Sequence, residues 1–317
     1  MAEMKAVVVG AGMMGPGIAI TLALGGIETR LSDLTAELAE AGLSQAHQLL
    51  EQLRSNELID PGAAASAQPL LSSTTDLEGS IRSAEIVIEA IKEDLGIKQE
   101  LFRRMDQIAD RETLLATNTS GLSVTAIAAK SHRFPERILS AHFWFPPHLL
   151  PLVEVVMTDR TGEAQAERAL KILRQCGKAP VLVRKDRPGM LGNRLQHALI
   201  REAIYIVEEG IASAEDVDLA AMTGFGLRMP AYGIFEHADN VGLRLVKAIQ
   251  DSVTPDLCRE TQAGALLNEK VERGDVGAAA GRGFLDWRVR SMDAVKSRRD
   301  AFLIDFLRRQ RKSAPGS

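Results

Sequence analysis

The chain has 317 residues, 45% hydrophobic and 25% charged, a length and composition that predict one large or two ordinary globular domains. The formal net charge of −4 gives no electrostatic footprint for nucleic acid and favours a small-molecule partner. No apolar run approaches the length of a membrane span, no signal-peptide pattern opens the chain, and Cys176 and Cys258 are isolated, so we expect a cytoplasmic protein without a metal site.

The first motif is typical of a dinucleotide-binding turn. An apolar run over residues 6–9 predicts a buried strand, and it leads into Gly10-Ala11-Gly12-Met13-Met14-Gly15. Gly10 permits a tight turn, Gly12 lets the backbone approach a pyrophosphate, and Gly15 lets the following helix pack closely. The N-terminus of that helix favours an anion, because its first N–H groups have no intrahelical partner.

Asp33 indicates which dinucleotide the turn binds. A helix-like stretch over residues 18–24 is followed by a second strand over residues 28–31, and Asp33 closes that strand about 20 residues beyond the glycines. A carboxylate there hydrogen-bonds ribose hydroxyls and repels a 2′-phosphate, so NAD is favoured over NADP. Flavin enzymes share the glycine pattern, and the turn alone leaves them open.

The pattern of apolar residues in the rest of the chain changes once, after residue 187. Apolar strand-like runs alternate with helical patterns at residues 86–88, 114–116, 138–141, 153–156 and 181–183. This alternation predicts a doubly wound α/β domain over residues 1–187. Beyond it the strand runs vanish and apolar residues recur at helical spacing from residue 191 to 209, which predicts an all-α domain over residues 188–317.

His142 stands out among the six histidines because it follows the strand predicted over residues 138–141. Strand ends in an open α/β sheet face the cofactor crevice. Glu154 lies in the apolar strand over residues 153–156, where a buried carboxylate needs a partner. An imidazole oriented by a carboxylate can remove a hydroxyl proton while hydride leaves for nicotinamide. On position alone, a structural histidine in an ordinary ion pair is the equal alternative.

Nearly the whole chain resembles the L-3-hydroxyacyl-CoA dehydrogenase family, and most closely its L-gulonate 3-dehydrogenase (lambda-crystallin) and L-carnitine dehydrogenase branch. The matching blocks are residues 10–15, 87–95, 118–122, 141–143, 151–155, 185–189, 193–195 and 281–284. The resemblance implies a Rossmann-type domain, NAD as cofactor, and a homodimer formed through the helical domain.

The resemblance also implies roles for side chains. His142 would be the general base, Glu154 its orienting partner, and Ser120 and Asn193 the groups that hold the substrate oxygen. A hydroxyl and an amide can bind either an alcohol or a ketone, as a reversible hydride transfer requires. Without the resemblance, Ser120 and Asn193 would be interpreted as turn or capping residues.

A larger set of residues is predicted at the cofactor. Its members are Gly10, Gly12, Met13, Met14, Gly15, Asp33, Glu89, Glu93, Lys98 and Asn118. Glu93 is equally expected as an acid near the start of a helix, where the helix dipole favours negative charge.

Phe145 departs from the family pattern. The family carries an asparagine three positions after the histidine, and this chain has Phe145 there. A phenyl ring neither donates nor accepts a hydrogen bond, so we expect a more apolar pocket wall and an aromatic or compact apolar substrate. The alternative is that the ring only packs under its loop.

A second departure concerns coenzyme A. Residues 51–75, where the acyl-CoA enzymes present lysines, offer Arg54 alone as a cation, so a CoA thioester is disfavoured. Arg228 lies in a block that resembles the gulonate dehydrogenase branch, and it could bind a free carboxylate through both arms of its guanidinium. Alternatively, Arg228 is tied to an acidic neighbour or to another subunit.

The sequence therefore predicts an NAD-dependent oxidoreductase acting on a secondary alcohol, with His142 as general base and a free 3-hydroxy acid or related small carboxylate as substrate. A short-chain L-3-hydroxyacyl-CoA dehydrogenase is the same-class alternative. A non-catalytic NAD-binding protein of the lambda-crystallin kind is the alternative from another class.

Overall fold

A computed structural model describes the backbone of residues 4–313 and side chains as far as residue 311. Eight strands form one sheet: β1 (Lys5–Val9), β2 (Glu28–Ser32), β3 (Leu71–Thr74), β4 (Ile86–Glu89), β5 (Leu114–Thr117), β6 (Ile138–Phe143), β7 (Leu152–Met157) and β8 (Ala179–Val183). Their spatial order is β3-β2-β1-β4-β5-β6-β7-β8. Strands β1 to β6 run parallel, β7 is antiparallel to β6, and β8 is parallel to β7.

Helices cover the sheet on both faces. They are α1 (Gly15–Leu24), α2 (Ala36–Ser55), α3 (Pro61–Ala67), α4 (Leu77–Arg82), α5 (Leu95–Ile108), α6 (Val124–Ile127) and α7 (Glu163–Gln175). Val8 and Ile88 belong to one buried apolar cluster, and their neighbours Val7 and Val87 to another. Because successive strand residues point to opposite faces, the two clusters lie on opposite sides of the sheet.

The chain beyond β8 is helical. It contains α8 (Gly192–Glu208), α9 (Ala214–Thr223), α10 (Phe225–Arg228), α11 (Ile234–Val241), α12 (Leu243–Val253), α13 (Ala265–Glu272) and α14 (Met292–Ser313). Short 3₁₀ turns occur at Gln68–Leu70, Ala128–Lys130, Pro135–Arg137, Thr254–Asp256 and Ala278–Ala280. The predicted fold class, a Rossmann-type doubly wound domain followed by helices, is confirmed.

The chain divides into two compact units. The first runs as far as Asn193 and also contains the residues from Arg299 onward, and the second is Arg194–Arg298. In the first unit, Leu303 and Leu307 of α14 pack against the core. In the second unit, Cys258 is the single buried residue. Within the part of the chain that the structure describes, no helix is both long and apolar enough to cross a bilayer.

Candidate active site

The glycine-rich turn between β1 and α1 has the shape that a pyrophosphate needs. Gly10 has φ of +106°, and a Cβ there would lie 2.6 Å from the Ala90 carbonyl oxygen. A Cβ on Gly15 would lie 2.0 Å from the Gly10 carbonyl oxygen, so α1 can approach the turn only with glycine at that position. A Cβ on Gly12 would meet nothing within 4 Å. The space beside Gly12 and the uncapped N-terminus of α1 therefore fit an anionic ligand.

Asp33 directly follows β2 and is hydrogen-bonded to the glycine-rich turn. Its Oδ2 accepts a hydrogen bond from the Ala11 N–H at 2.7 Å, and its Oδ1 accepts one from the Leu34 N–H at 2.7 Å. A carboxylate has about four acceptor sites, so oxygen lone pairs stay available for ribose hydroxyls. These residues fit the predicted dinucleotide.

Glu89, Lys98 and Glu93 form a charged cluster beside the turn. Glu89 is fully buried at the end of β4 and accepts hydrogen bonds of 2.7 Å from Lys98 Nζ, Thr117 Oγ1 and the Ile91 N–H. The Lys98 side chain is 1% exposed, and its Nζ also lies 3.0 Å from Glu93 Oε2. One ammonium group thus pairs with two carboxylates that the sequence assigned to the cofactor.

Glu93 also organises the loop that carries Ser120. Its Oε1 accepts hydrogen bonds from the Thr119 hydroxyl and, at 3.2 Å each, from the backbone N–H groups of Ser120 and Gly121. Burial raises the pKa of the Glu93 carboxyl, but hydrogen bonds from Thr119 and Lys98 outweigh it and lower the pKa. Glu93 therefore does more than complement a helix dipole, because it fixes the Ser120 backbone.

His142 and Glu154 face each other across β6 and β7. They are direct partners in the antiparallel register, and His142 Nδ1 lies 2.8 Å from Glu154 Oε2. Trp144 Nε1 donates to the same oxygen at 3.0 Å. The other oxygen, Oε1, accepts the backbone N–H groups of Leu191 and Gly192 at 2.9 Å each. Glu154 is fully buried, and four donors from the protein surround its carboxylate.

The charge on Glu154 fixes the tautomer of His142. Burial alone would raise the pKa of Glu154, but hydrogen bonds from His142, Gly192, Trp144 and Leu191 outweigh it and lower the pKa to about 2. At neutral pH the carboxylate is ionised and can only accept, so Nδ1 of His142 carries the hydrogen. The Nε2 of a neutral His142 then keeps its lone pair and can accept a proton.

Nine of the predicted residues of the first unit line one cleft of about 380 Å³, whereas Gly10, Gly12, Gly15, Asp33, Glu89 and Glu154 are not among its lining residues. Those that line it are Met13, Met14, Glu93, Lys98, Asn118, Ser120, His142, Phe145 and Asn193. Asn193 Nδ2 donates to the Ser120 carbonyl oxygen at 3.3 Å, and Asn118 Oδ1 accepts the Phe143 N–H at 2.8 Å. The cleft is therefore lined by an imidazole that can accept a proton, a hydroxyl group and two side-chain amides.

Phe145 is 47% exposed and lines the cleft. The guanidinium carbon of Arg299 lies 5.4 Å from its ring centroid, and Arg299 Nε donates to Asp300 Oδ1 at 2.7 Å. In the second unit, Arg228 Nη2 lies 3.4 Å from His237 Nε2. The substrate roles of Phe145 and Arg228 stay predictions.

Two features of the site were missed by sequence reasoning. Trp144 lies one residue beyond β6 and two residues after His142, so extending the alternation of the strand by one residue would have placed both side chains on one face. The backbone donors at Leu191 and Gly192 left no signal, because any residue supplies an N–H group.

Comparison with known proteins gives a consistent family. A model described as 3-hydroxyacyl-CoA dehydrogenase, NAD binding domain, matches residues 5–187, and one described as 3-hydroxyacyl-CoA dehydrogenase, C-terminal domain, matches residues 189–287. The chain is 30% identical over 300 residues to 5-formyl-3-hydroxy-2-methylpyridine 4-carboxylate 5-dehydrogenase of Mesorhizobium japonicum, covering 94% of this chain and 95% of that one. It is 36% identical over 287 residues to a probable 3-hydroxybutyryl-CoA dehydrogenase of Bacillus subtilis, covering 90% and 98%.

Solved structures show the same two kinds of relative. A 5-formyl-3-hydroxy-2-methylpyridine 4-carboxylic acid 5-dehydrogenase, described as an NAD⁺-dependent dismutase, matches with a TM-score of 0.87 at 28% identity, covering 96% of this chain and 98% of that one. The (S)-3-hydroxybutyryl-CoA dehydrogenase of Ralstonia eutropha matches with a TM-score of 0.74 at 28% identity, covering 90% and 99%.

Proposed function

The chain belongs to the 3-hydroxyacyl-CoA dehydrogenase family, and on this premise we propose that its substrate is a small free carboxylate bearing a ring. Membership confirms NAD as the cofactor and makes the protein a dehydrogenase that acts on CH–OH groups. The observation that carries the proposal is the exposed Phe145 ring on the cleft wall, where the family pattern has an amide. The finer placement in the gulonate and carnitine dehydrogenase branch stays a prediction.

The proposed chemistry uses residues that the cleft brings together. When bound, NAD supplies the hydride acceptor. His142 Nε2 takes the hydroxyl proton, and the Glu154 carboxylate stabilises the imidazolium that forms. The Ser120 hydroxyl and the Asn193 amide hydrogen-bond the substrate oxygen before and after oxidation, since both groups can serve an alcohol or a carbonyl.

The scarcity of cations in residues 51–75 supports a free acid over a thioester. Arg54, the single cation of residues 51–75, already holds Glu51 through hydrogen bonds of 2.7 Å and 2.6 Å. The phosphates of coenzyme A would have to compete with that carboxylate. Phe145 offers an exposed ring to the cleft, which suits an aromatic substrate, while the Arg299 guanidinium 5.4 Å from the ring centroid is itself paired with Asp300.

The relative described as a dismutase adds an aldehyde to the proposed substrates. An aldehyde hydrate carries a CH–OH group, so His142 can deprotonate it as it would an alcohol. Oxidation of the hydrate gives the acid and NADH, and reduction of a second aldehyde by that NADH gives the alcohol. Two aldehydes and one water then yield one acid and one alcohol, with no net change in NAD.

A short-chain 3-hydroxyacyl-CoA substrate is the second candidate, because the Bacillus subtilis relative is 36% identical over nearly its whole length.

A substrate panel with purified protein tests the proposal. We expect kcat/KM for a hydroxymethyl-substituted aromatic carboxylate to exceed that for 3-hydroxybutyryl-CoA by at least about tenfold, since one mismatched pocket group costs that much or more. Oxidation of the alcohols is measured by NADH absorbance. Conversion of the ring aldehyde is measured by chromatography of the acid and alcohol products. The His142→Ala variant controls for contaminating dehydrogenases. Preference for the CoA thioester would overturn the free-acid assignment and leave the dehydrogenase class intact.

We also propose a cytoplasmic homodimer whose contact is formed by the helical unit. The large apolar side chains exposed on that unit include Leu195, Leu199, Leu219, Met222, Phe235, Leu245 and Ile249. Because a helical unit normally buries one face of each helix, we expect a second copy of the chain to pack against these side chains. The free thiols of Cys176 and Cys258 suit a reducing compartment.

Light scattering should therefore give the mass of two chains. Phe235, whose side chain is 83% exposed, offers the matched variant: Phe235→Asp should shift the mass toward one chain, since it places a charge in an apolar contact. The exposed Phe302 of α14, changed to Asp, is the control that should stay dimeric. A single-chain mass for the unmodified protein would contradict the dimer.

A further inference from the structure

We propose that Trp144 is a positioning residue of this active site, whose indole N–H shares a Glu154 oxygen with His142 and so sets how tightly the general base holds its proton. The inference rests on the proposed role of His142 as base. Neither the sequence motifs nor the relatives' descriptions assign any role to Trp144.

The carboxylate of Glu154 is divided between two pairs of donors. Oε1 receives two backbone N–H groups, whereas Oε2 receives His142 Nδ1 at 2.8 Å and Trp144 Nε1 at 3.0 Å. The Glu154 side chain is 0% exposed, so protein donors alone share its charge. Of these, only the imidazole gains and loses a proton in the reaction.

The indole N–H competes with the imidazole for one oxygen. A hydrogen bond to a carboxylate stabilises its charge and lowers its attraction for any other donor. Removing the indole N–H leaves Oε2 to His142 alone, so the imidazolium form becomes more stable. The pH dependence of oxidation should then move to higher pH than in the unmodified enzyme.

Trp144 is held in place by close packing on α8. Its ring centroid lies 5.7 Å from that of His142, with 52° between the ring planes. A Cβ on Gly192 would lie 2.5 Å from Trp144 Cζ2, so the indole rests directly on the first residue of α8. Gly192 also donates to Glu154, and Asn193 follows it. The indole thus links the proton acceptor to the start of the helix that carries a predicted substrate ligand.

Few charged groups face His142. Glu154 faces it from β7, and Glu93 and Lys98 are the other titratable side chains that line the cleft. Lys98 and Glu93 are paired with each other, and Lys98 is also paired with Glu89. None of these three contacts the indole in the described hydrogen bonds, so a change at Trp144 acts on His142 through Glu154.

The test is the pH dependence of kcat/KM for alcohol oxidation in Trp144→Phe, measured with the best substrate of the panel. We expect the ascending limb to move to higher pH by about 0.5 to 1 unit, the scale of redistributing one charge-assisted hydrogen bond. NAD affinity should stay within about twofold, because the cofactor groups are untouched. Trp287→Phe, the other tryptophan of the chain, should leave the limb in place.

A second variant separates the N–H group from the bulk of the ring. Trp144 is replaced site-specifically by an analogue in which sulfur takes the place of the indole N–H. This analogue keeps the shape of the ring system and removes the hydrogen-bond donor to Glu154. It should reproduce the shift with kcat on the high-pH plateau within about threefold of the unmodified enzyme. An unmoved limb, or one moved to lower pH, in this analogue would overturn the proposal. Absence of any dehydrogenase activity in the unmodified protein would instead refute the proposed function.

Discussion

Replacing His142 with alanine should lower kcat for alcohol oxidation by about 10²- to 10⁴-fold, the usual contribution of a general base. The side chain lies at the end of β6, its Nδ1 is held by the ionised Glu154, and its Nε2 is the one basic nitrogen left to face the cleft. Alanine removes this proton acceptor without touching the glycine-rich turn or Asp33. NAD affinity should therefore stay within about twofold of that of the unmodified protein.

Steady-state kinetics and calorimetric titration with NAD measure the two quantities on the same preparation. The exposed His132, changed to alanine, is the matched control and should keep full turnover. Near-normal turnover in His142→Ala would remove the residue from the mechanism. Loss of NAD binding in that variant would show damage beyond the missing base.

Replacing Lys98 with methionine should lower the free energy of unfolding by about 3 to 5 kcal/mol, the cost of leaving a buried charge without its partner. Methionine is unbranched like lysine and fills much of the same space, so packing changes little. Glu89 is 0% exposed and would lose the 2.7 Å ion pair that offsets its desolvation. Glu93 would lose its 3.0 Å contact as well, loosening the loop that carries Ser120.

Urea denaturation compares this variant with Lys92→Met, in which an exposed lysine of the same loop region is changed. The control should stay within about 0.5 kcal/mol of the unmodified protein, as surface substitutions do. Adding Glu89→Gln to Lys98→Met should restore part of the stability, because it removes the orphaned charge. Equal stability of Lys98→Met and Lys92→Met would mean that the buried cluster contributes nothing net to folding.

Much of the first unit was predictable because buried parallel strands are continuous apolar runs. This property located β1, β4, β5 and β6, and the glycine spacing placed the cofactor turn between β1 and α1. Strand β3 was not predicted, because three of its four residues carry hydroxyl groups. Its extended conformation comes from pairing with β2. Local composition cannot reveal a strand that depends on its neighbour.

The candidate site was predictable residue by residue but not as a network. Sequence motifs named His142, Glu154, Ser120 and Asn193, whereas the donors that complete Glu154 come from a loop residue and two backbone N–H groups. Lys98 was predicted at the cofactor, and the structure adds that two acids hold it from within the protein. Such contacts depend on distances across the fold, which spacing along a chain does not encode.

The reversal of β7 has a consequence for how this enzyme can diversify. Because β7 runs antiparallel to β6, the register of the two strands sets His142 and Glu154 opposite each other, and the buried apolar residues of both strands help to fix that register. Residues 145–151 form that loop beyond the indole, and Phe145 opens it. The proton-transfer pair of His142 and Glu154 thus lies on the two strands, whereas Phe145, which lines the cleft, lies in the loop between them. An engineer could change the side chains of that loop, at its present length, to alter the preferred alcohol and keep the base intact.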